Sequence, residues 1–591
     1  MILQALNDYY RRKCDDPDPA QRLPAFGLEQ KEIPFILEIN AEGELLQLRD
    51  TREQQGKRRV GQVFRVPMGV KKTSGVAANL LWDTAEYVLG VDTKGKPERV
   101  EQQHAAFRER IQALPAAAQQ DAGLQAVLRF LQQLDRVQLE RHPAWADVLE
   151  ANAIMSFRLH GDLDLVCQRP VVVQAALNTA TDDDALQAMC LVTGEQAPVE
   201  RLHTAIKGVW GAQTSGGNIV SFNARAFESY GKTERQGENA PVSRAAAFAY
   251  TTALNHLLRK DSPQRMQVGD ASTVFWAERQ DPFETIFGDI FQDDPDASTA
   301  AVAALLNAVR SGHWGASDET LRYHVLGLAP NAARISIRFY HCTTLRELGQ
   351  RIAQHFKDVE LVRGNNDPQY PSLKRLLQAV CLATKTQPFG DLERLPPTLG
   401  GAVVDAILAG PNTPYPALWL NAAIGRCRAE RQVNYLRAAA IKACLNRQIR
   451  QTHSRPSTEK EFLSMLDPSN TNAAYRLGRL FAVLEKIQEE ASPGLNATIR
   501  DRYYGAASST PVAVFTTLLR LKNAHLKKLP AGRVIWFEKL LGEVLGAVSD
   551  FPAHLPLPDQ GRFALGYYHQ RQDFFTRKPQ ETPTDTEGAT A

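Results

Sequence analysis

Apolar residues change their spacing once along this chain, and that change limits the folds open to it. Up to about residue 340 short strand-like runs occur: Phe35-Ile36-Leu37-Glu38-Ile39, Val60 to Val66, Ile219 to Phe222, Thr273 to Trp276, and Arg334 to Tyr340. The last alternates apolar and polar residues, as a half-buried strand does. Helical spacing is interspersed at Val100 to Leu114, Ala122 to Leu139 and Ser243 to Leu258, and segment 98–140 reads as an insertion of two helices. From about residue 370 the strand signals fade. Apolar residues then recur three and four apart in Leu373 to Thr384, Pro416 to Leu445, Ala473 to Glu490, Pro511 to Lys528 and Val534 to Val548, the pattern of a helical bundle. The expected fold class is α+β: a mixed α/β region over 1–370, an α-helical bundle over 371–571, and a tail over 572–591 that lacks aromatic anchors after Phe575 and is expected to be disordered.

A chain of 591 residues, 43% hydrophobic and 23% charged, is long enough for more than one core. No apolar run approaches the ~20 residues of a membrane span. The start, Met1 to Leu6, meets Asp8 before a signal-peptide core develops. The seven cysteines are scattered without a Cys-x-x-Cys pair, which indicates neither a zinc ribbon nor a disulfide framework. A reducing cytoplasm is the expected location.

Two turns share a pattern. One is Lys71-Lys72-Thr73-Ser74-Gly75, with Asn79 following; the other is Gln213-Thr214-Ser215-Gly216-Gly217-Asn218, continuing to Asn223. Glycine lets backbone approach a ligand closely. Hydroxyls, exposed N–H groups and amides bond phosphates and base edges. The net charge is only +3, yet Arg52, Lys57, Arg58, Arg59, Arg65, Lys71 and Lys72 stand against the single acid Glu53 between residues 52 and 72. A cationic stripe beside such a turn is the electrostatic footprint of a nucleic-acid contact. The alternative is a solvated loop that serves solubility.

Catalytic patterns are missing. The chain holds no His-Glu-x-x-His, no Gly-x-Ser-x-Gly and no Gly-x-x-x-x-Gly-Lys-Ser/Thr; Val76 and Ala77 follow Gly75 where a phosphate loop needs Lys-Ser/Thr. The acidic clusters Asp182-Asp183-Asp184 and Asp289, Asp293, Asp294, Asp296 lack the order of a calcium loop and read as solvated loops. Neither a metal nor another cofactor is expected, and no catalytic residue is assigned.

Longer stretches carry a family resemblance. KKTSGVAANLLWDTAEYVLG (from Lys71), GAQTSGGNIVSFNARAFESYGK (from Gly211), ENAPVSRAAAFAYTTALNHLL (from Glu238), STVFWAE (from Ser272), APNAARISIRFYH (from Ala329), YPALWLNAAIGRCRAE (from Tyr415) and AAAIKACLNR (from Ala438) are similar to the large subunit of the type I-C CRISPR Cascade surveillance complex. The resemblance spans nearly the whole chain. It implies a non-enzymatic protein that assembles with CRISPR RNA, backbone subunits and small subunits. Such a protein recognises a protospacer-adjacent motif (PAM) in double-stranded target DNA, aids strand opening into an R-loop, and supports recruitment of a helicase-nuclease. Protein reads the adjacent motif and shape in such systems, while base pairing reads sequence. The competing class is a stand-alone nuclease or other nucleic-acid-processing enzyme, against which the missing motifs argue.

On that reading Lys71 and Lys72 bind phosphates, with Arg58 and Arg59 beside them. Thr73, Ser74 and Asn79 reach base edges or sugars, Asn79 being the better base reader because an amide pairs bidentately with adenine. Gln213, Ser215, Asn218 and Asn223 form the second DNA-binding set, and either turn can act as a wedge. The bland alternative for Asn79 and Asn223 is a cap or turn; Phe222 and Trp82 are expected in the core. In the helical region Arg476, Arg479, Arg520, Lys522, Lys527 and Lys528 recur at helical spacings. Of these, Arg520, Lys527 and Lys528 share one face that could follow the displaced strand. Finally, Met465 precedes a helix expected to start near Asn472, with Asp467 or Ser469 as its cap. Lys460-Glu461 ahead of it has one synonymous coding that is a bacterial ribosome-binding sequence. The resemblance implies an internal start there, so that 465–591 would also be made as a separate small subunit.

Overall fold

The computed structural model describes residues 2–575, apart from 19–20, 56–57, 71–74, 180–185, 223, 233–235, 269, 285–286, 289–294 and 453–458. The fold is α+β, with mixed sheets toward the N-terminus and helices toward the C-terminus. The chain forms two compact units, one from 3–204 and 220–253, the other from 205–219 and everything from Leu254 onward. Each has its own hydrophobic core. The tail expected to be disordered lies outside the described residues from 576.

In the first unit, strands β1 (Phe35–Ile39), β2 (Leu45–Asp50), β3 (Trp82–Thr84) and β4 (Ile154–Leu159) form a sheet in the order β2-β1-β4-β3. β1 and β4 run parallel, with Phe35 opposite Met155, and the other pairs are antiparallel. Phe35, Ile36, Leu37 and Ile39 are all buried, the near-continuous apolar run of a strand covered on both faces. The helices Pro97–Gln112 and Ala122–Gln132 belong to the connection from β1 to β4. Their Phe107 and Phe130 stand 6.4 and 5.7 Å from Phe157 of β4, ring to ring. Segment 98–140 is thus part of the core rather than an added surface lobe: its apolar stripe is what covers the sheet. The strand expected over Val60 to Val66 is two pieces, split at Gly61, whose N–H goes to the Glu32 carboxylate at 2.6 Å. Ile219 to Phe222 makes no strand, because pairing ends at Asn218.

The second unit pairs an antiparallel sheet with helices over one shared core. Its strands β5 (Arg265–Val268), β6 (Ala271–Ala277), β7 (Arg322–Asn331) and β8 (Arg334–Thr344) are ordered as numbered, with a bulge between Gly327 and Leu328. The principal helices are α1 (Leu345–Val359), α2 (Leu399–Ala409), α3 (Tyr435–Thr452), α4 (Ala473–Ala491), α5 (Val512–Leu526), α6 (Ala531–Leu545) and α7 (Leu557–Asp573). The helix expected over Pro416 to Leu445 is interrupted at Arg431, which takes φ +54°. A new helix then starts with the Asn434 side chain accepting from Arg437 N at 3.0 Å. Helix α4 begins under its own cap, Asn472, whose Oδ1 accepts from Tyr475 N at 3.1 Å. Asp467 instead bonds Ser469 in the preceding turn, so neither residue expected as the cap fills that role.

Helix α4 is buried almost all round, and α7 crosses it through glycines. A methyl group on Gly478 would overlap the Phe563 carbonyl and sit 2.8 Å from Tyr567 N. One on Gly566 would overlap the Tyr475 carbonyl group, 3.1 Å from its Cα. Elsewhere in the same core a buried ion cluster joins α1, α2 and α3. Arg447 and Asp358 are 0% and 1% exposed as side chains and pair at 2.9 Å. Arg447 also donates to the Ala406, Gly410 and Thr413 carbonyls, closing the C-terminal end of α2 as a cation does. Its guanidinium lies 3.9 Å over the Tyr415 ring. No helix among the described residues is long and apolar enough to cross a membrane, and all seven cysteines are free.

Candidate nucleic-acid interface

The first turn hangs between Pro67, which ends a strand, and Trp82, which begins β3. Residues 71–74 lie outside the described residues, so the structure gives no place for Lys71, Lys72, Thr73 or Ser74. What it does give is the frame on either side. Asn79 is 5% exposed, and its amide oxygen accepts from Val70 N at 2.9 Å. Its own N–H donates to Asp83 at 2.8 Å. Gly69 N donates to Glu29 at 2.9 Å and Met68 N to the Gly27 carbonyl at 2.8 Å. Trp82 Nε1 reaches the Pro67 carbonyl at 2.8 Å. Leu81 turns the chain at φ +64°. The loop is therefore cinched across residues 70 and 79. In this conformation Asn79, singled out as a base reader, spends its carbonyl on closing that loop. An amide committed inside a turn is the bland role weighed for it. Trp82 is 3% exposed and is core, as expected.

Arg110 is a contributor that spacing did not reveal. It comes from the helix Pro97–Gln112 and donates from Nη1 to the Ala78 carbonyl at 2.7 Å. Burial lowers its pKa, opposed by the Asp83 carboxylate. Together with Phe26, Pro67, Met68 and Val70 it lines a cleft of about 520 Å³ at the root of the loop.

The charge of the 52–72 stripe is partly spent. Arg52 is paired with Asp50 at 2.8 Å and with Asp147. These two carboxylates raise its pKa, the Asp50 hydrogen bond first. Arg59, half exposed, reaches the same acids at 2.9 and 3.4 Å. Asp147 is 95 residues from Arg52, so counting charge along the segment could not find it. The structure describes neither Lys57 nor the Arg58 side chain.

The second turn is well defined. Gly216 N bonds the Gln213 carbonyl at 2.9 Å, and Gly217 and Ile206 exchange bonds at 2.8 and 2.9 Å. Gly216 takes φ +91°, and a Cβ there would come 2.6 Å from the Ile206 carbonyl, so the turn requires glycine. Asn218 docks by its backbone beside β8, through Ala333 O and Ile335 N. This leaves Gln213, Thr214 and Ser215 exposed at the tip. Asn223 lies outside the described residues; Phe222 is half-buried.

Among the helices, two of the cations noted at helical spacing lie inside. Arg479 is 0% exposed and bonds Gln570 at 3.0 Å and Glu543 at 2.7 Å. Arg476 caps carbonyls of Asn470, Glu543 and Val544. Both therefore hold the bundle together and face no solvent strand. Lys522 pairs with Glu538 at 3.0 Å. Arg520 is exposed within α5, and Lys527 and Lys528 are exposed just beyond its end at Leu526, with Lys528 touching the Ser492 hydroxyl at 3.4 Å. Met465 is 61% exposed, in the loop before α4. The acidic cluster 182–184 lies outside the described residues, as do Asp289, Asp293 and Asp294. Among the described residues no group of His, Cys, Asp and Glu is arranged to hold a metal.

Compared with curated proteins one by one, the chain matches none. The family model described as CRISPR-associated protein (Cas_Csd1) matches residues 6–575. With that match running through both compact units, the chain belongs to the Cas_Csd1 family of CRISPR-associated proteins.

Proposed function

We propose that the chain is the non-catalytic large subunit of a type I-C CRISPR RNA-guided DNA surveillance complex. It recognises the protospacer-adjacent motif in duplex DNA, aids strand opening and supports recruitment of a helicase-nuclease. The observation that carries the reading is the family membership over 6–575, joined to the motif stretches quoted above. The loop frame supports it: Val70 and Asn79 stand on either side of Lys71-Lys72-Thr73-Ser74 in the chain and are joined by a hydrogen bond. The second turn presents Gln213 and Ser215 at an exposed tip. CRISPR RNA, target DNA, and backbone and small Cascade subunits are the partners on this reading.

The test uses the assembled complex. Lys71→Ala with Lys72→Ala should weaken target-DNA binding and flatten its salt dependence by about one unit of log–log slope per lost phosphate contact, while RNA assembly survives. Gln213→Ala should reduce preference for the correct motif by roughly tenfold, since a base-edge contact is worth ~1–3 kcal/mol. Wild-type affinity, slope and preference in all these variants would remove the two turns from DNA recognition. Metal-dependent cleavage by the isolated chain would favour a nuclease instead.

The same reading assigns 465–591 a second life as a separately translated small subunit. That segment contains the whole α4–α7 crossing, and its first residue stands exposed in a loop rather than inside a helix. Silent recoding of Lys460-Glu461 together with Met465→Leu should abolish a short product and leave the full-length chain intact. If native translation yields no short product in the wild type, the internal start is not used.

A further inference from the structure

Within the first unit one tyrosine is displayed in a manner that core packing does not explain. Ser229-Tyr230-Gly231-Lys232 is a tight turn closed by Lys232 N to the Ser229 carbonyl at 3.1 Å. Both central residues are left-handed, Tyr230 at φ +56° and Gly231 at φ +70°. That is the type I′ geometry, which selects Asn, Asp or Gly at its first central position. A bulky side chain there is an outlier. Yet the Tyr230 side chain gains no packing in return, since the residue is 98% exposed.

The turn is also clamped. Asn239 accepts from Ser229 N at 2.8 Å and donates to the Lys232 carbonyl at 3.0 Å, holding both ends with one amide. Lys232 Nζ adds a bond to the Glu238 carbonyl at 3.2 Å. Phe227 is 44% exposed two residues before the turn, and Arg225 and Lys232 are exposed on either side of Tyr230 in the chain, while the neighbouring acids Glu228 and Glu238 are part-buried. Backbone strain kept in place by surrounding bonds, with an unpacked ring at its tip, points to a ligand for that ring.

We propose that Tyr230 is a stacking residue for an unpaired nucleobase, with Arg225 and Lys232 toward the flanking phosphates. The inference rests on the reading above that the protein opens duplex DNA. A base offers a flat face of the same size as the phenol ring, and aromatics set among cations are how single strands are held without regard to sequence. A protein partner fits less well, because a convex turn tip does not cover the ~1,000 Å² that a stable interface needs, whereas a stack needs one ring.

The test places 2-aminopurine at successive positions beside the motif in target DNA bound by the assembled complex. Wild type and Tyr230→Phe should quench one such position alike. Tyr230→Ala and Tyr230→Gly should lose the quench and bind opened DNA roughly tenfold more weakly, as expected for one lost stack. Tyr230→Gly should at the same time melt at or above the wild-type temperature, because glycine relieves the left-handed strain. That opposed pair of changes is not produced by a merely structural tyrosine. Unchanged quenching and affinity in Tyr230→Ala would overturn the assignment while leaving motif recognition standing. Loss of co-purifying subunits in Tyr230→Ala, restored in Tyr230→Phe, would overturn it in favour of a protein contact. A wild-type complex without motif-dependent DNA binding would sink the functional reading first, and this inference with it.

Discussion

Gly478→Ala should destabilise the second unit by about 3 kcal/mol, the upper end of the range for overpacking a well-filled core, and Gly566→Ala should do the same. At each position the added methyl meets backbone, the Phe563 or Tyr475 carbonyl, and no side chain can rotate out of its way. The two helices would have to separate along the crossing that holds Phe481, Phe563 and Tyr567 together. Gly542→Ala in α6 is the control. Nothing lies within 4 Å of a Cβ there, and replacing an exposed helical glycine should leave stability equal or raise it by about 0.5–1 kcal/mol. Thermal or denaturant unfolding of the full chain distinguishes the three. Equal midpoints for Gly478→Ala and Gly542→Ala would mean that α4 and α7 do not touch as described. Because both glycines fall within 465–591, the same substitutions should also cripple a separately translated small subunit.

Asp358→Ala should cost about 3–5 kcal/mol, the range for breaking a buried ion pair from one side. It strands Arg447, which has no solvent to turn to, and removes a partner of Arg450. Burial by itself would raise the Asp358 pKa; the hydrogen bonds from Arg450, Arg447 and Gln354 overcome it and hold the carboxyl below its ordinary value. The sign of the pH effect follows. A carboxyl with a depressed folded pKa contributes fully above its unfolded value of about 3.9, and that contribution is lost as pH falls through the folded value. Asp358→Asn should therefore lower stability at neutral pH and flatten the acid side of the stability profile. An acid limb as steep in Asp358→Asn as in the wild type would show that other titrating groups govern it. His355, beside this cluster and bonded to Tyr415 at 2.7 Å, has a pKa pushed down to about 3 by burial, with the Arg447 charge adding to it. Folded, it stays neutral, but it protonates once unfolded, so below its unfolded value of about 6.5 it too lowers stability as pH falls, starting at a higher pH than Asp358 does.

The candidate interface was legible to unequal degrees. The Gly216 turn is a local matter: a positive φ and a close carbonyl explain its glycine, and the sequence pattern alone marks it. The exposed Arg520, Lys527 and Lys528 were placed by helical spacing, and the structure leaves them exposed. Asn79 was weighed as a base reader or a turn residue; only the folded loop shows its amide oxygen accepting from Val70 N. Arg476 and Arg479 have the same spacing as surface cations. Their burial depends on Gln570, Glu543 and the carbonyls at the end of α6, which lie dozens of residues away.

By itself the sequence determined the strand-rich and helix-rich regions, several helix spans to within a few residues (though not Leu345–Val359 or Leu557–Asp573), and, through long ordered motifs, the family. Periodicity and motif are properties of a short window, and hydrogen bonding within a helix obeys the same locality. Tertiary structure alone decided that segment 98–140 belongs to the core of the first unit, that the β5–β8 sheet shares a core with the helices after it, and which cations are spent. Asp147 neutralising Arg52, Asp358 meeting Arg447, and α7 lying against Gly478 all join residues far apart in sequence. Such pairings follow from how elements pack, so no window on the chain contains them.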